Sequence, residues 1–158
     1  MELDTSIECV LFDLDGTLID TALDFIKALD RLTAENNQPP VDDFQVQQTV
    51  SDGARALIQL AFNIAENDDR FAPLNQRLLD LYFEQLTDTE ATLYPGLPYL
   101  LAQLEEVGIP WGIVTNKPEK YSHQLLDKLN LLSRCGVVRL DCGARAHLLL
   151  QRECVEGF

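Results

Sequence analysis

Residues 7–21 read Ile-Glu-Cys-Val-Leu-Phe-Asp-Leu-Asp-Gly-Thr-Leu-Ile-Asp-Thr, and this stretch constrains the chain more than any other. Cys9 to Phe12 is an apolar run of strand formers. It ends in two carboxylates, Asp13 and Asp15, one residue apart, with Gly16 and Thr17 directly after them. Like charges a few ångströms apart repel, so paired acids at the end of a buried strand call for a divalent cation or a shared proton. Open α/β sheets place their ligands at the carboxyl ends of parallel strands. The stretch therefore predicts a first parallel strand over residues 7–13 with a reaction centre at its tip. Residues 14–20 must leave that strand sharply, with Gly16 as the pivot.

The remaining chain divides by pattern. Thr21 to about Glu35 reads as a helix, with Thr21 as N-cap and Asp24 at the acidic capping-box position. Asn36-Asn37-Gln38-Pro39-Pro40 stops it. A short helix follows over 43–49, another begins at Ser51-Asp52-Gly53, and a further one covers 71–87. No convincing strand occurs between 21 and about 88, so this helical block reads as an insertion after the first strand. The α/β pattern then resumes. A helix from Leu97 ends at Gly108, a second apolar strand covers 109–114, and Thr115-Asn116-Lys117-Pro118 leads into a helix that ends near Asn130. Helix, strand and helix in this order imply parallel crossovers. Val137-Val138 opens a third strand, and residues 144–152 read as a short helix.

Composition excludes several classes of function. Net charge is −14, which repels nucleic-acid backbones and leaves an anionic ligand dependent on local positive groups. No apolar run approaches the roughly 18 residues of a membrane span. Glu2 and Asp4 make the N-terminus acidic, so no signal peptide is expected, and the expected location is cytoplasmic. The four cysteines form no Cys-x-x-Cys pair and have no histidine at zinc-like spacing.

Asp13-Leu14-Asp15-Gly16-Thr17, preceded by Val10-Leu11-Phe12, resembles the first motif of the haloacid-dehalogenase (HAD) superfamily of phosphohydrolases. The string through Asp20 is similar to its phosphoglycolate phosphatase-like branch. The resemblance implies an α/β HAD-like (Rossmannoid) parallel sheet, formed by residues 1–20 and 89–158, with an inserted α-helical cap over 21–88. It also implies a Mg²⁺-dependent hydrolase of small phosphorylated metabolites. Phosphoglycolate is the usual substrate label, and amino-sugar phosphates suit close relatives. Asp13 is then the nucleophile, forming an aspartyl-phosphate, and Asp15 the general acid and base. Mg²⁺ is held by the Asp13 side chain and the Asp15 carbonyl. Gly16 and Thr17 complete the motif on the phosphate side. Thr115 and Asn116, at a strand tip and a helix N-terminus, bind the phosphoryl group. Lys117 supports that anion or is solvated, and Arg55, near Gly53 at the start of a cap helix, reads a substrate carboxylate or is solvated.

The resemblance runs from about residue 7 to Val138. There the family continues toward a Lys-Pro segment and then Gly-Asp-x-x-x-Asp, which supply a lysine and the acids that complete the Mg²⁺ shell. Residues 139–158 contain no lysine, and their acids are Asp141, Glu153 and Glu156. Composition shifts at the same place. Residues 131–158 carry four arginines and three acids, whereas the first 130 residues carry 23 acids and 8 basic residues. The expectation is an altered or truncated core after about 138 and severely reduced activity, with a non-catalytic phosphate- or partner-binding remnant or a phosphomutase as the alternatives.

Overall fold

The computed structural model describes residues 7–140. In chain order they form β1 (Val10–Phe12), β2 (Ile19–Asp20), α1 (Ala22–Glu35), α2 (Asp43–Thr49), α3 (Ala54–Phe62), α4 (Phe71–Gln85), β3 (Thr92–Leu93), α5 (Leu97–Glu106), β4 (Trp111–Thr115), α6 (Glu119–Lys128) and β5 (Val137–Leu140). The described residues separate into two compact units, one made of residues 7–19 and 93–140 and the other of Asp20–Thr92. The helix expected over 144–152 lies outside the described residues.

The first unit is α/β. Its sheet has the order β1-β4-β5 with every pairing parallel. Val10 lies opposite Trp111 and Phe12 opposite Ile113, so the segments that follow β1 and β4 emerge at the same carboxyl edge. β4 is buried on both faces at Trp111, Gly112 and Ile113, as expected of a central strand that reads as a continuous apolar run. Phe12 meets Trp111 edge-on, with ring centroids 6.2 Å apart. Leu101 and Leu104 of α5 and Leu125 and Leu126 of α6 complete the apolar core. Gly108 ends α5 at φ 73°, a backbone that L side chains rarely adopt.

The second unit is almost entirely helical. Phe25 of α1 stacks on Tyr82 of α4 with centroids 4.0 Å apart, and Leu29, Leu32, Leu57, Leu78 and Leu81 are fully buried around them. Asp42 caps α2 by accepting from the Gln45 N–H at 3.2 Å.

Two local expectations change. The connection contains short strands: β2 and β3 have two residues each and form a separate two-stranded sheet. Segments that short carry no alternating pattern that a sequence reading could use. Asp24 does not act in a capping box. It is fully buried and accepts the Thr89 O–H and, at 3.0 Å, the Glu90 N–H. A buried carboxylate needs such donors, and these lie some 65 residues away in sequence.

At the amino end of β4, the Trp111 indole N–H donates to Glu105 at 3.1 Å and the Arg134 guanidinium donates to the same carboxylate at 3.0 and 3.3 Å. The Arg134 hydrogen bond holds the Glu105 carboxyl below its ordinary value against the opposing effect of burial, and the Trp111 hydrogen bond and Arg134 charge add to the lowering. A depressed carboxyl contributes stability above its ordinary value and loses it as pH falls through its folded value. Trp111 is the only tryptophan, so its fluorescence reports this cluster directly. Acid titration is expected to shift Trp111 emission below the usual carboxylate range, and Glu105→Gln is expected to abolish that step.

Candidate active site

The loop after β1 is built around two buried leucines. Leu14 and Leu18 are both fully buried, and the Leu14 carbonyl accepts from the Leu18 N–H at 3.1 Å and the Ile19 N–H at 3.0 Å. The Asp13 carbonyl accepts from Leu18 at 3.2 Å, and the Gly16 N–H donates to the Ile19 carbonyl at 3.0 Å. Gly16 sits at φ 76°, which makes it the pivot expected from sequence. Apolar residues turned inward leave the polar residues between them at the edge. Asp13, Gly16 and Thr17 are exposed and Asp15 is half-buried. The Thr17 hydroxyl donates to Asp13 Oδ2 at 3.3 Å.

The tip of β4 brings a cation to this loop. Lys117 Nζ lies 2.9 Å from Asp15 Oδ1 and 3.2 Å from Oδ2. The lysine side chain is only 6% exposed, so it is a buried ion-pair partner rather than a solvated loop residue. Its backbone is held on both sides. The Lys117 N–H donates to Thr115 Oγ1 at 3.1 Å, and the Lys117 carbonyl accepts from the buried Ser122 hydroxyl at 3.1 Å. Thr115 is buried, and the accepting role of its oxygen leaves its own O–H available as a donor. The Lys117 N–H is committed to Thr115. Asn116 is exposed between them.

The structure thus gathers Asp13, Asp15, Gly16, Thr17, Thr115, Asn116 and Lys117 at one sheet edge of one unit. Arg55 belongs to the helical unit, where it pairs with Glu66 and its guanidinium carbon lies 5.8 Å from the centroid of the Phe71 ring. The feature that sequence reading left undecided is the role of Lys117. Its signal is positional: it stands two residues past a strand that is in register with the strand bearing the acids.

Hard oxygen donors dominate this edge. Among the described residues no group of three or more His, Cys, Asp or Glu side chains clusters as a metal cage. The Asp13 carboxylate and the Asp15 carbonyl fit a hydrated Mg²⁺, which takes one or two protein carboxylates and fills its shell with water and phosphate oxygens. They do not make a closed site.

This arrangement coincides with a family match. The model of haloacid dehalogenase-like hydrolases matches residues 10–140. The chain belongs to that family. Among its relatives, N-acetylmuramic acid 6-phosphate phosphatase of Pseudomonas aeruginosa is 40% identical over 132 residues, covering 84% of this chain and 58% of the relative. Phosphoglycolate phosphatase of Xanthomonas campestris is 38% identical over 129 residues, covering 82% and 58% respectively. The chain therefore spans less than two thirds of the length of these curated relatives. A solved structure described as a predicted phosphoglycolate phosphatase from Haemophilus somnus matches 96% of this chain and 72% of its own at TM-score 0.78 and 23% identity, which establishes the shared HAD fold. No helix among the described residues is long and apolar enough to cross a membrane.

The pivot gives a direct test of the HAD loop. Gly16→Val is expected to destabilise the chain by about 1–3 kcal/mol, because a β-branched residue at positive φ is strained. Urea unfolding followed by Trp111 fluorescence measures it.

Proposed function

We propose that this chain is a Mg²⁺-dependent phosphomonoester hydrolase of the phosphoglycolate phosphatase-like type, working through an aspartyl-phosphate on Asp13. The observation that carries the reading is the pair Asp13 and Asp15 on a tight loop at the carboxyl edge of a parallel sheet, with Lys117 on Asp15 and the buried Thr115 at the next strand tip. The names of the relatives point to a small phosphorylated metabolite, either a sugar-acid phosphate such as N-acetylmuramic acid 6-phosphate or phosphoglycolate. A net charge of −14 argues against a nucleic-acid partner and leaves a phosphate ligand dependent on local groups such as Lys117. The proposed location is the cytoplasm.

An Asp13 carboxylate oxygen attacks phosphorus and the ester P–O bond breaks. Asp15, having released Lys117 and taken up a proton from solvent, delivers that proton to the departing alkoxide and then takes one from the water that attacks the aspartyl-phosphate. Inorganic phosphate leaves and the Asp13 carboxylate is regenerated. In the ligand-free arrangement both Asp15 oxygens accept from Lys117. Proton delivery requires Asp15 to release that ammonium, and a phosphoryl dianion beside it offers Lys117 a competing partner. The Thr115 hydroxyl and Asn116 orient the phosphoryl oxygens. Thr17 holds Asp13 through its hydroxyl. The Asp13 carboxylate and the Asp15 carbonyl would hold Mg²⁺, which would supply neutralisation of phosphoryl charge. The helical unit, Asp20–Thr92, takes the part of the inserted cap that selects the leaving group.

The described contacts at this edge provide one ammonium and two acids. Phosphate release from N-acetylmuramic acid 6-phosphate, phosphoglycolate and an aryl phosphate is expected to depend on Mg²⁺ and to be lost in Asp13→Asn. In Asp15→Asn it is expected to fall by about 10²–10⁴-fold. Failure of every monoester to give Asp13-dependent release contradicts the hydrolase reading.

A further inference from the structure

The ammonium of Lys117 pairs with one of the two acids of the motif, Asp15. Both Asp15 oxygens accept from it, and the pair is largely withdrawn from water, with side-chain exposures of 6% for Lys117 and 18% for Asp15. The ammonium is also aimed. The Lys117 N–H is tied to Thr115 and its carbonyl to Ser122, and both of those residues are buried. Asp13, one residue removed from Asp15, has a weaker hydroxyl contact at 3.3 Å and is exposed. The two acids are thus unequal, one neutralised by the protein and one presented outward.

We propose that Lys117 is a built-in counter-charge that sets the divalent-cation affinity of this strand tip. It keeps the Asp15 carboxylate out of the ion's coordination shell and leaves the ion to the Asp13 carboxylate and the Asp15 carbonyl. The inference rests on the reading of the site as a Mg²⁺-assisted phosphoryl-transfer centre and concerns this chain's own means of regulating the ion. Its physical basis is simple. A fixed positive charge a few ångströms from a bound dication repels it, and partial burial limits the screening of that repulsion by solvent. Removing the charge also frees a second hard oxygen ligand.

Mn²⁺ serves as the probe, titrated against the full chain with free ion followed by electron paramagnetic resonance. Lys117→Met is expected to bind Mn²⁺ about tenfold more tightly than the unmodified chain. Lys117→Arg, which keeps the charge, is expected to stay within about threefold of it. Asp13→Asn is expected to lose binding. Lys117→Gln gives Asp15 a neutral hydrogen-bond donor and carries the same expectation as Met if circular dichroism shows the Met variant to be unfolded. Affinity that is unchanged or weaker in the neutral variants overturns the proposal, as does an equal gain in Lys117→Arg. Absence of Mn²⁺ uptake in the millimolar range by both the unmodified chain and the neutral variants overturns it as well. The readout needs no turnover. A chain that binds Mn²⁺ in the expected order and hydrolyses no monoester refutes the hydrolase reading alone.

Discussion

The ion pair between Lys117 and Asp15 is the interaction on which the candidate site depends. Two acids at the end of a strand repel one another, and the fold answers with a lysine from the neighbouring strand tip. A half-buried carboxylate and a nearly buried ammonium are each costly alone, so each requires the other. The parallel register of β1 and β4 makes the meeting possible, because Phe12 opposite Ile113 brings the following loops out at the same edge. The backbone contacts of Thr115 and Ser122 then fix where the lysine begins.

Much of this was legible in the sequence, for identifiable reasons. The run Val10-Leu11-Phe12 followed by Asp13-Leu14-Asp15-Gly16 announces a strand, a reversal and an acidic tip, and the structure has β1, a leucine-anchored loop and Gly16 at positive φ. The helices over 22–35, 43–49, 97–106 and 119–128 follow from apolar periodicity and from stop signals such as Gly108. What escaped are features set by distant partners. Asp24 has the spacing of a capping residue, and only the fold shows its carboxylate satisfied by Thr89 and Glu90. Lys117 reads as a loop lysine until the strand register places it against Asp15. The strands β2 and β3 are too short for any periodic signal.

The two units divide the chemistry from the bulk. Every residue of the candidate site except Arg55 lies in the α/β unit, while the helical unit has a closed apolar core of its own centred on Phe25 and Tyr82. Arg55, for which the sequence leaves substrate reading and solvation both open, has Glu66 and the Phe71 ring as partners within that unit. The family match covers residues 10–140 and so includes both strand tips of the candidate site.

A double-mutant cycle on Asp15 and Lys117 tests this account most directly. Unfolding free energies of the unmodified chain, Asp15→Asn, Lys117→Met and the double variant give the coupling between the two groups. A buried ion pair predicts that the double variant is less destabilised than the sum of the single variants, with a coupling of at least about 1 kcal/mol. Additive effects, with coupling near zero, would contradict the claim that this pair holds the site together.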